Sequence, residues 1–357
     1  MNCQEEVSFI EKNMCGLVKE SPMPGNLVYH TDLPLPTPKD DEVLIKIHCT
    51  AVCGTDLHIM EWDDWSQHRV KAPIISGHET AGDIVAVGKN VTERKVGDRV
   101  SCETHISCNH CWFCKHGLAH ICKNVELLGV SVPGAFAEYM AIRWDSTFLL
   151  DDSITYEEAC MFEPMGAGVH GVESAQVEGK TVLVSGCGPI GLTAVAASKT
   201  FGAKLVIACD LIDSRLQDAL DMGADVVLNS GKCDLPEEIR KLTDGIGADA
   251  AIDVTGAAPA IRNSLRSVRA AGRLVCVGLP GKPVELDLTN DLIYREVEMT
   301  GISGRKIWET WEDFAKVMKG PYFKLEKVLG KRYAMKDFDK AVADIRGGAP
   351  GKMLIYP

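Results

Sequence analysis

The sequence is short of positive charge and contains no long apolar run. Its 357 residues include 38 Lys and Arg against 50 Asp and Glu, a formal net charge of −12. Because attraction to phosphate requires a basic surface, we expect no binding to nucleic acid or to anionic membranes. No apolar run approaches the roughly 18 residues of a membrane span, and the acidic N-terminus lacks the apolar core of a signal peptide. A cytoplasmic location is therefore expected.

Length and composition predict a globular protein with two domains. Single hydrophobic cores stop growing at roughly 250–300 residues, and this chain is longer. Hydrophobic residues make up 46% and charged residues 25%, a balance typical of chains that bury a large core. We find no internal repeat and no low-complexity segment.

Two patterns divide the chain. Up to about residue 160, short β-branched runs separated by Gly and Pro predict an antiparallel β domain with strands at 42–53, 82–91 and 97–102. Beyond residue 180, apolar strands alternate with helix-length segments, a pattern that predicts a parallel, doubly wound sheet. The strands expected there lie at 181–185, 204–210, 225–229, 249–256 and 272–278, and two helices (308–320 and 336–348) precede a closing strand at 352–357. The predicted fold class is α/β, with a β-rich domain and a Rossmann domain.

A G-x-G-x-x-G motif, Gly186-Cys187-Gly188-Pro189-Ile190-Gly191, follows the first strand of the parallel pattern and opens a helix. In that context Gly186 permits a tight turn, Gly188 lets the backbone approach a pyrophosphate, and Gly191 lets helix and strand pack closely. The helix N-terminus supplies N–H donors for phosphate. The motif therefore predicts a dinucleotide site that includes Pro189 and Ile190.

Asp210 indicates which dinucleotide binds. It ends the second parallel strand, 19 residues beyond Gly191, where a carboxylate accepts hydrogen bonds from the ribose hydroxyls and repels a 2′-phosphate. NAD is thus favoured over NADP. Arg215 is a weaker candidate for the adenosine side, since a solvated helix charge is an equally good interpretation.

Half of the fourteen cysteines lie between positions 49 and 122. In a reducing compartment such clustering indicates metal ligation before disulfide bonding. Four of them form C-x₂-C-x₂-C-x₇-C at Cys108, Cys111, Cys114 and Cys122. Four thiolates this close in sequence can surround one zinc ion and leave no position for a substrate. An iron–sulfur cluster is the alternative, because it also takes four cysteines.

A second, dispersed set consists of Cys53, His78, Glu79 and Glu163. Each has an ordinary interpretation as a core, turn or surface residue. Together, three ligands of mixed Cys, His and carboxylate type with an open fourth position would form a Lewis-acid zinc site. Spacing alone does not establish this site.

Six segments, in order, resemble the zinc-dependent medium-chain alcohol dehydrogenases. They are VCGTDLH, GHETAGDIVAVG, GDRV, the four-cysteine lobe, FEPMGAGVH and GCGPIG, and the resemblance covers residues 14–357. Within that superfamily the chain is most similar to the L-threonine dehydrogenase branch, on segments 58–67, 103–111, 133–139 and 301–311. The resemblance implies NAD-dependent oxidation of a secondary alcohol, with L-threonine to 2-amino-3-oxobutanoate as the first choice.

The resemblance also implies an architecture. A GroES-like zinc domain would span 14–161 and be completed by 305–357, a Rossmann NAD domain would span 162–304, and the active site would lie in the cleft. Each subunit would bind one catalytic and one structural zinc and assemble into a homotetramer. Residues 1–13 would be an extension, expected to form a surface arm that packs on a neighbouring subunit.

Roles for individual residues follow from the same resemblance. Cys53, His78 and Glu79 would bind the catalytic zinc, and Glu163 would act beside it as a ligand that exchanges with water. Thr55 and His58 would form the proton relay, for which a hydroxyl and a near-neutral imidazole are suited. The nicotinamide half of the cofactor would contact Val277, Gly278, Leu279, Ile302 and Ser303.

Substrate contacts are less specific. His105 matches a histidine near the amino-acid substrate, or it orients the zinc lobe. Trp308 and Trp311 would close the substrate pocket or, three apart on a helix, simply pack together.

One position departs from the branch pattern. Ala167 stands where an amide side chain is common, and losing a buried polar group weakens discrimination between substrates. A polyol dehydrogenase is therefore the alternative function, and a non-catalytic redox sensor built on the cysteine lobe is a remote one.

Overall fold

The computed structural model describes residues 13–357, which form two compact units. The first unit comprises the described residues up to Glu163 together with Gly330–Pro357, and the second comprises Pro164–Leu329. The predicted N-terminal extension lies outside the described residues except for Asn13, with which the first strand begins. Among residues 13–357, no helix has the length and apolar character needed to cross a membrane.

The elements before Pro164 are mainly short strands. The strands are β1 (Asn13–Lys19), β2 (Val28–Pro34), β3 (Glu42–Ala51), β4 (Ile74–Ile75), β5 (Glu79–Val87), β6 (Arg99–Cys102), β7 (His105–Ile106), β8 (Glu126–Leu127), β9 (Tyr139–Arg143) and β10 (Thr147–Leu149). The helices are α1 (Gly54–Glu61), α2 (Asp64–Gln67), α3 (Trp112–Lys115) and α4 (Tyr156–Cys160).

Strands and helices alternate in the rest of the chain. They are α5 (Phe162–Ala175), β11 (Thr181–Ser185), α6 (Pro189–Thr200), β12 (Leu205–Asp210), α7 (Asp213–Asp221), β13 (Val226–Asn229), α8 (Leu235–Leu242), β14 (Ala248–Asp253), α9 (Ala258–Ser267), β15 (Val268–Cys276), β16 (Glu298–Gly301) and α10 (Glu309–Lys319). The chain ends with β17 (Leu329–Ala334), α11 (Phe338–Arg346) and β18 (Lys352–Tyr356).

The first unit is organised around β3. Its largest sheet has the order β10-β6-β5-β3-β18-β17, and β9 also pairs with β3. The pairs of β3 with β5, β9 and β18 are antiparallel, as predicted for this part of the chain. Val43, Ile45 and Ile47 of β3 are buried against Ile84 and Val100 of the neighbouring strands. This apolar contact holds the strands whose ends carry the predicted metal ligands.

The second unit contains the predicted parallel sheet. Its order is β13-β12-β11-β14-β15-β16, and every neighbouring pair is parallel. The direction in which strands are added reverses between β11 and β14, and in doubly wound sheets ligands bind at the carboxyl ends of strands at such a point. The predicted α/β class with a Rossmann sheet is confirmed.

A substitution at Gly82 tests how closely β3 and β5 pack against each other. A Cβ at this position would lie 2.1 Å from the Lys46 carbonyl oxygen, so Gly82→Ala must push β5 away from β3. We expect it to lower the free energy of unfolding by about 1–3 kcal/mol, measured by urea denaturation. Gly25→Ala is the matched control, because a Cβ there meets no atom within 4 Å. Equal stability of the two variants would contradict the packing argument.

Candidate active site

The four cysteines of the lobe converge on one point. The Sγ atom of Cys111 lies 3.5 Å from that of Cys114 and 3.7 Å from that of Cys122, and the sulfurs of Cys122 and Cys108 are 3.4 Å apart. All four sulfurs lie within 4.8 Å of one another. Four zinc–sulfur bonds of 2.3 Å in a tetrahedron separate the sulfurs by about 3.8 Å. The spacing therefore fits a single zinc ion better than a cluster in which each thiolate binds its own iron.

The backbone of the lobe favours thiolates. The amide N–H groups of Cys108 and Asn124 donate to Cys122 Sγ at 3.4 and 3.3 Å. The pKa of Cys108 falls to about 5, mainly because the backbone N–H of His110 hydrogen-bonds to its sulfur. Thiolate is the form in which cysteine binds metal, so the loop is suited to its predicted role.

A second cluster lies elsewhere in the first unit. One ligand atom each from Cys53, His78 and Glu79 lies within 4.8 Å of the others. Cys53 follows β3 as the N-cap of α1, where its backbone N–H donates to Asp56 Oδ2 at 2.8 Å. The fold thus brings Cys53 to the adjacent residues His78 and Glu79, which lie 25 and 26 positions further along the chain.

Gly77 sets the direction from which His78 enters this cluster. Its φ is +87°, in the left-handed region, and a Cβ there would lie 2.6 Å from the Phe136 ring. Only glycine combines that conformation with so close an approach. The turn delivers His78 and Glu79 to the cluster on consecutive residues, just as β5 begins.

Lys352, which the sequence analysis did not identify, adds a positive charge to the Cys53–His78–Glu79 cluster. Its Nζ donates to Glu79 Oε1 at 2.5 Å and to the Val52 carbonyl at 3.1 Å. Burial disfavours the Cys53 thiolate, but the positive charges of Lys352 and His78 outweigh it and lower the pKa of Cys53 to about 6. Burial alone would lower the pKa of His78, yet its contact with Cys53 raises it to about 10. The cluster therefore favours ionised sulfur.

The cluster has the donor chemistry of a zinc site. Sulfur, imidazole and carboxylate donors are the set that catalytic zinc sites use with an open position. The Nδ1 atom of His78 and the Oε2 atom of Glu79 are buried and have no hydrogen-bond partner among the described residues. Unpartnered buried donors and acceptors are costly, so a bound ion would satisfy groups that the fold leaves open.

Glu163 lies close to this cluster but is not one of its three members. It sits in the first turn of α5, 5% exposed, and its Oε1 accepts a hydrogen bond from Thr104 Oγ1 at 2.5 Å. Its negative charge contributes to the raised pKa of His78. This position agrees with a carboxylate that acts beside a metal rather than as a permanent ligand.

The two residues predicted to form the proton relay share one face of α1. Thr55 and His58 are three residues apart, so their side chains are neighbours. The Oγ1 atom of Thr55 lies 3.6 Å from Cys53 Sγ, which places the hydroxyl at the metal cluster. His58 is exposed, and its Nδ1 pairs with Asp63 Oδ2 at 2.8 Å. Thr55 therefore lies at the cluster, and His58 lies between Thr55 and solvent.

His105 is held by a buried carboxylate that the sequence analysis missed. Glu103 is fully buried, and its Oε1 accepts hydrogen bonds from the backbone N–H of His105 at 3.0 Å and from Nδ1 at 2.8 Å. Such a bond fixes the tautomer and the orientation of the ring. In the sequence, the only indication of this contact is an acidic residue two positions before the histidine.

The glycine motif of the second unit forms the predicted strand–turn–helix. Gly186 has φ +96°, and a Cβ on Gly191 would lie 1.8 Å from the Gly186 carbonyl oxygen. Gly188 is the N-cap of α6 and Pro189 is in its first turn. A Cβ on Gly188 would meet open space, so the backbone there is free for a ligand to approach. The loop fits a pyrophosphate at a helix N-terminus.

Asp210 is the last residue of β12 and stands beside this loop. Its Oδ2 accepts a hydrogen bond from the Cys187 N–H at 2.7 Å, and its Oδ1 accepts one from the Ile212 N–H at 2.9 Å. Arg215 on α7 approaches Asp210 Oδ2 to 3.9 Å. These bonds orient the carboxylate and leave further lone pairs for ribose hydroxyls.

The residues predicted to contact nicotinamide follow β15 and β16. Val277 and Gly278 both donate backbone N–H groups to the Asp253 carbonyl, at 2.8 and 3.1 Å, and Ile302 donates to the Cys276 carbonyl at 3.1 Å. Leu279 is 83% exposed. Because all strands are parallel, this set and the glycine loop lie at the same edge of the sheet. Ser303, which was predicted, also lies at that edge. The buried Asp253 lies there too, and the sequence did not indicate it.

Two other candidates have more ordinary surroundings. Trp311 is fully buried and packs edge-to-face on Trp308, with ring centroids 5.3 Å apart, so packing explains it. Ala167 lies in α5 between Gly166 and Gly168, and a Cβ on Gly168 would lie 2.5 Å from the Ile190 carbonyl oxygen. The close approach of α5 to Ile190 explains why residue 168 is glycine. It gives no reason for an alanine at position 167.

Comparisons with known proteins identify the family. Residues 39–152 match the alcohol dehydrogenase GroES-like domain, and residues 189–320 match the zinc-binding dehydrogenase domain. L-threonine 3-dehydrogenase of Symbiobacterium thermophilum is 41% identical over 327 residues, 91% of this chain and 93% of that protein.

Solved structures agree with this assignment. The 2R,3R-butanediol dehydrogenase of Bacillus subtilis is 28% identical, with a TM-score of 0.84 over 97% of this chain and 100% of that one. An Escherichia coli CFT073 protein described as a short-chain alcohol dehydrogenase, solved with NADH, is 26% identical, with a TM-score of 0.88 over 97% and 100% of the two chains. This chain belongs to the zinc-binding dehydrogenases with a GroES-like domain.

Proposed function

We propose that this protein oxidises the secondary hydroxyl of L-threonine to 2-amino-3-oxobutanoate, with NAD and zinc as cofactors. The observation that carries the reaction class is the Cys53–His78–Glu79 cluster with the Thr55 hydroxyl beside it. The choice of substrate rests on the Symbiobacterium thermophilum relative, an L-threonine 3-dehydrogenase 41% identical to this chain.

Each cofactor has a set of residues suited to hold it. Zinc bound by Cys53, His78 and Glu79 would supply Lewis acidity that lowers the pKa of the substrate hydroxyl, and NAD would accept the hydride. The four cysteines of the lobe would hold a structural zinc. The loop Gly186–Gly191 and Asp210 would hold the dinucleotide, and the Asp210 carboxylate would disfavour a 2′-phosphate.

The protein's own groups would move the proton. Thr55 Oγ1 accepts it from the substrate hydroxyl and passes it towards His58. The bond from His58 Nδ1 to Asp63 Oδ2 leaves Nε2 to exchange with water. Burial raises the pKa of the Glu79 carboxyl group, and the positive charge of Lys352 opposes that rise.

His105 is proposed to orient the amino-acid end of the substrate. Its Nδ1 is engaged by the buried Glu103 carboxylate, which holds the ring in one orientation. Glu103 thereby becomes a positioning residue, acting on substrate through His105. Thr104, between them, holds Glu163 at 2.5 Å, so the segment 103–105 serves both the substrate and the metal.

Oxidation of a vicinal diol is the second candidate. Ala167 has no amide with which to recognise an amino alcohol, and the butanediol dehydrogenase of Bacillus subtilis is among the structural relatives. The zinc and dinucleotide roles would be the same, because both substrates are secondary alcohols.

We further propose a cytoplasmic homotetramer. The cytoplasmic location is supported by the cysteine lobe, which needs reduced thiols. The assembly is supported by β16, which is exposed along its whole length at the edge of the parallel sheet. An unpaired edge of this kind is a template for pairing with another chain. Met299 of this strand is an exposed apolar residue, as are Ile293 and Tyr294, which precede the strand.

The first test is the rate of NADH formation at 340 nm, with L-threonine, D-threonine, 2,3-butanediol and sorbitol as substrates. We expect the highest kcat/KM on L-threonine. Thr55→Val should lower kcat by about 100-fold, the usual contribution of a proton-transfer group, while Thr55→Ser should retain most activity. Zinc content of each variant is the control. Activity on diols alone would contradict the L-threonine assignment and favour the second candidate.

The second test concerns Glu103. Glu103→Gln weakens the orientation of His105, so we expect KM for L-threonine to rise by about tenfold, with a smaller change in kcat. Glu126→Gln, on the exposed neighbouring strand β8, is the matched control and should leave KM unchanged. If Glu103→Gln lost lobe zinc instead, as measured by metal analysis, Glu103 would be structural and the role of His105 would be wrong.

The third test concerns assembly. Met299→Glu places a charge on the exposed edge strand β16, and we expect the mass in analytical ultracentrifugation to fall from tetramer to a smaller species. Glu298→Gln, on the same strand, controls for a change of charge alone. A tetramer that persists in Met299→Glu would show that β16 is not an interface.

A further inference from the structure

A cavity in the second unit lies between α8 and α9 and includes no residue assigned above. Its volume is about 670 Å³, within the range of roughly 300–1,000 Å³ found for small-molecule sites. Its lining excludes the glycine loop Gly186–Gly191 and Asp210. It is thus separate from the proposed dinucleotide site.

The charge of this cavity is opposite to that of the whole protein. Three arginines line it, Arg240, Arg266 and Arg295, against one carboxylate, Asp234, whereas the chain carries a net charge of −12. The Asp234 side chain is already engaged, since its Oδ1 accepts the Glu237 N–H at 2.9 Å as the N-cap of α8. Among the residues that line the cavity, arginines therefore outnumber carboxylates by three to one.

The three arginines differ in how far their charge is compensated. Arg240 pairs with Glu237 at 3.2 Å, and Arg266 Nε lies 3.1 Å from both carboxylate oxygens of Asp291. Arg295 forms no ion pair with a carboxylate of residues 13–357. It donates instead to the backbone carbonyls of Leu265 and Val268. A guanidinium has five N–H donors, so donors remain for a ligand.

Arg240 and Arg295 also repel each other. Burial is the main cause that lowers the pKa of Arg295; the charge of Asp291 opposes it, and the charge of Arg240 lowers the pKa by a smaller amount. An anion between the two guanidinium groups would relieve that repulsion, and paired N–H groups match the geometry of phosphate oxygens.

Part of the remaining wall is apolar, and Asn263 also lines the cavity. Leu235, Pro236, Ile246 and Val268 line it together with the arginines, and Ile246 is 65% exposed. A ligand with an anionic head and a carbon skeleton would cover both surfaces. From this juxtaposition of three arginines and an apolar wall, we propose that the cavity binds a small organic phosphate.

Titration calorimetry on the full-length protein tests this, with inorganic phosphate and phenyl phosphate as probes and saturating NADH present to block the dinucleotide site. We expect both probes to bind at millimolar concentration or below, and phenyl phosphate more tightly. Arg240→Gln should weaken binding by about tenfold, the loss expected for one charge-assisted hydrogen bond. Arg266→Gln should have a similar effect. Lys241→Gln removes a neighbouring charge outside the cavity and should change affinity little.

Four results would overturn the proposal. They are no binding in the presence of NADH, equal affinity for the two probes, no effect of Arg240→Gln, or an equal loss in Lys241→Gln. Thermal melting of each variant separates a lost site from a lost fold, and Arg240 is suited to this because its side chain is 45% exposed.

Discussion

The antiparallel register of β3 with β5 and β18 is the constraint on which the Cys53–His78–Glu79 cluster depends. Ala51, the last residue of β3, pairs with Glu79 of β5 on one side and with Leu354 of β18 on the other. Cys53, His78 and Lys352 each lie within three residues of these partners. The ends of three strands thereby bring a thiol, an imidazole, a carboxylate and an ammonium to one place. A slip of one residue would turn alternate side chains to the opposite face.

Burial makes this cluster sensitive to each of its members. Glu79 is fully buried, and Lys352 is the cation that compensates it at 2.5 Å. Removing one partner of such a pair leaves an uncompensated charge in a medium of low dielectric constant, which is strongly destabilising. The positive charge of Lys352 also lowers the pKa of Cys53. Compensation of the buried carboxylate and ionisation of the Cys53 sulfur therefore both depend on Lys352.

The second unit obeys a different constraint. Parallel strands present all their carboxyl ends at one edge, so residues distant in sequence meet there without any special pairing. Gly186–Gly191, Asp210, Asp253 and Val277–Leu279 follow four successive strands of this edge. Asp253 anchors the turn after β15 through its carbonyl, which accepts the N–H groups of Val277 and Gly278. The arginine-lined cavity lies between α8 and α9, and none of these residues lines it.

The class of fold, the glycine loop and the cysteine lobe could all be predicted from the amino-acid sequence. Each depends on local information: strand and helix periods, turn residues, and ligands within fifteen residues of one another. The dispersed ligands Cys53, His78 and Glu79 could be named only through resemblance, because their spacing carries no signal. Only the tertiary structure brought Lys352 to Glu79 across 273 positions, joined Thr104 to Glu163, and placed three arginines around one cavity. These contacts arise from strand register and helix packing, which depend on the whole core rather than on any short segment.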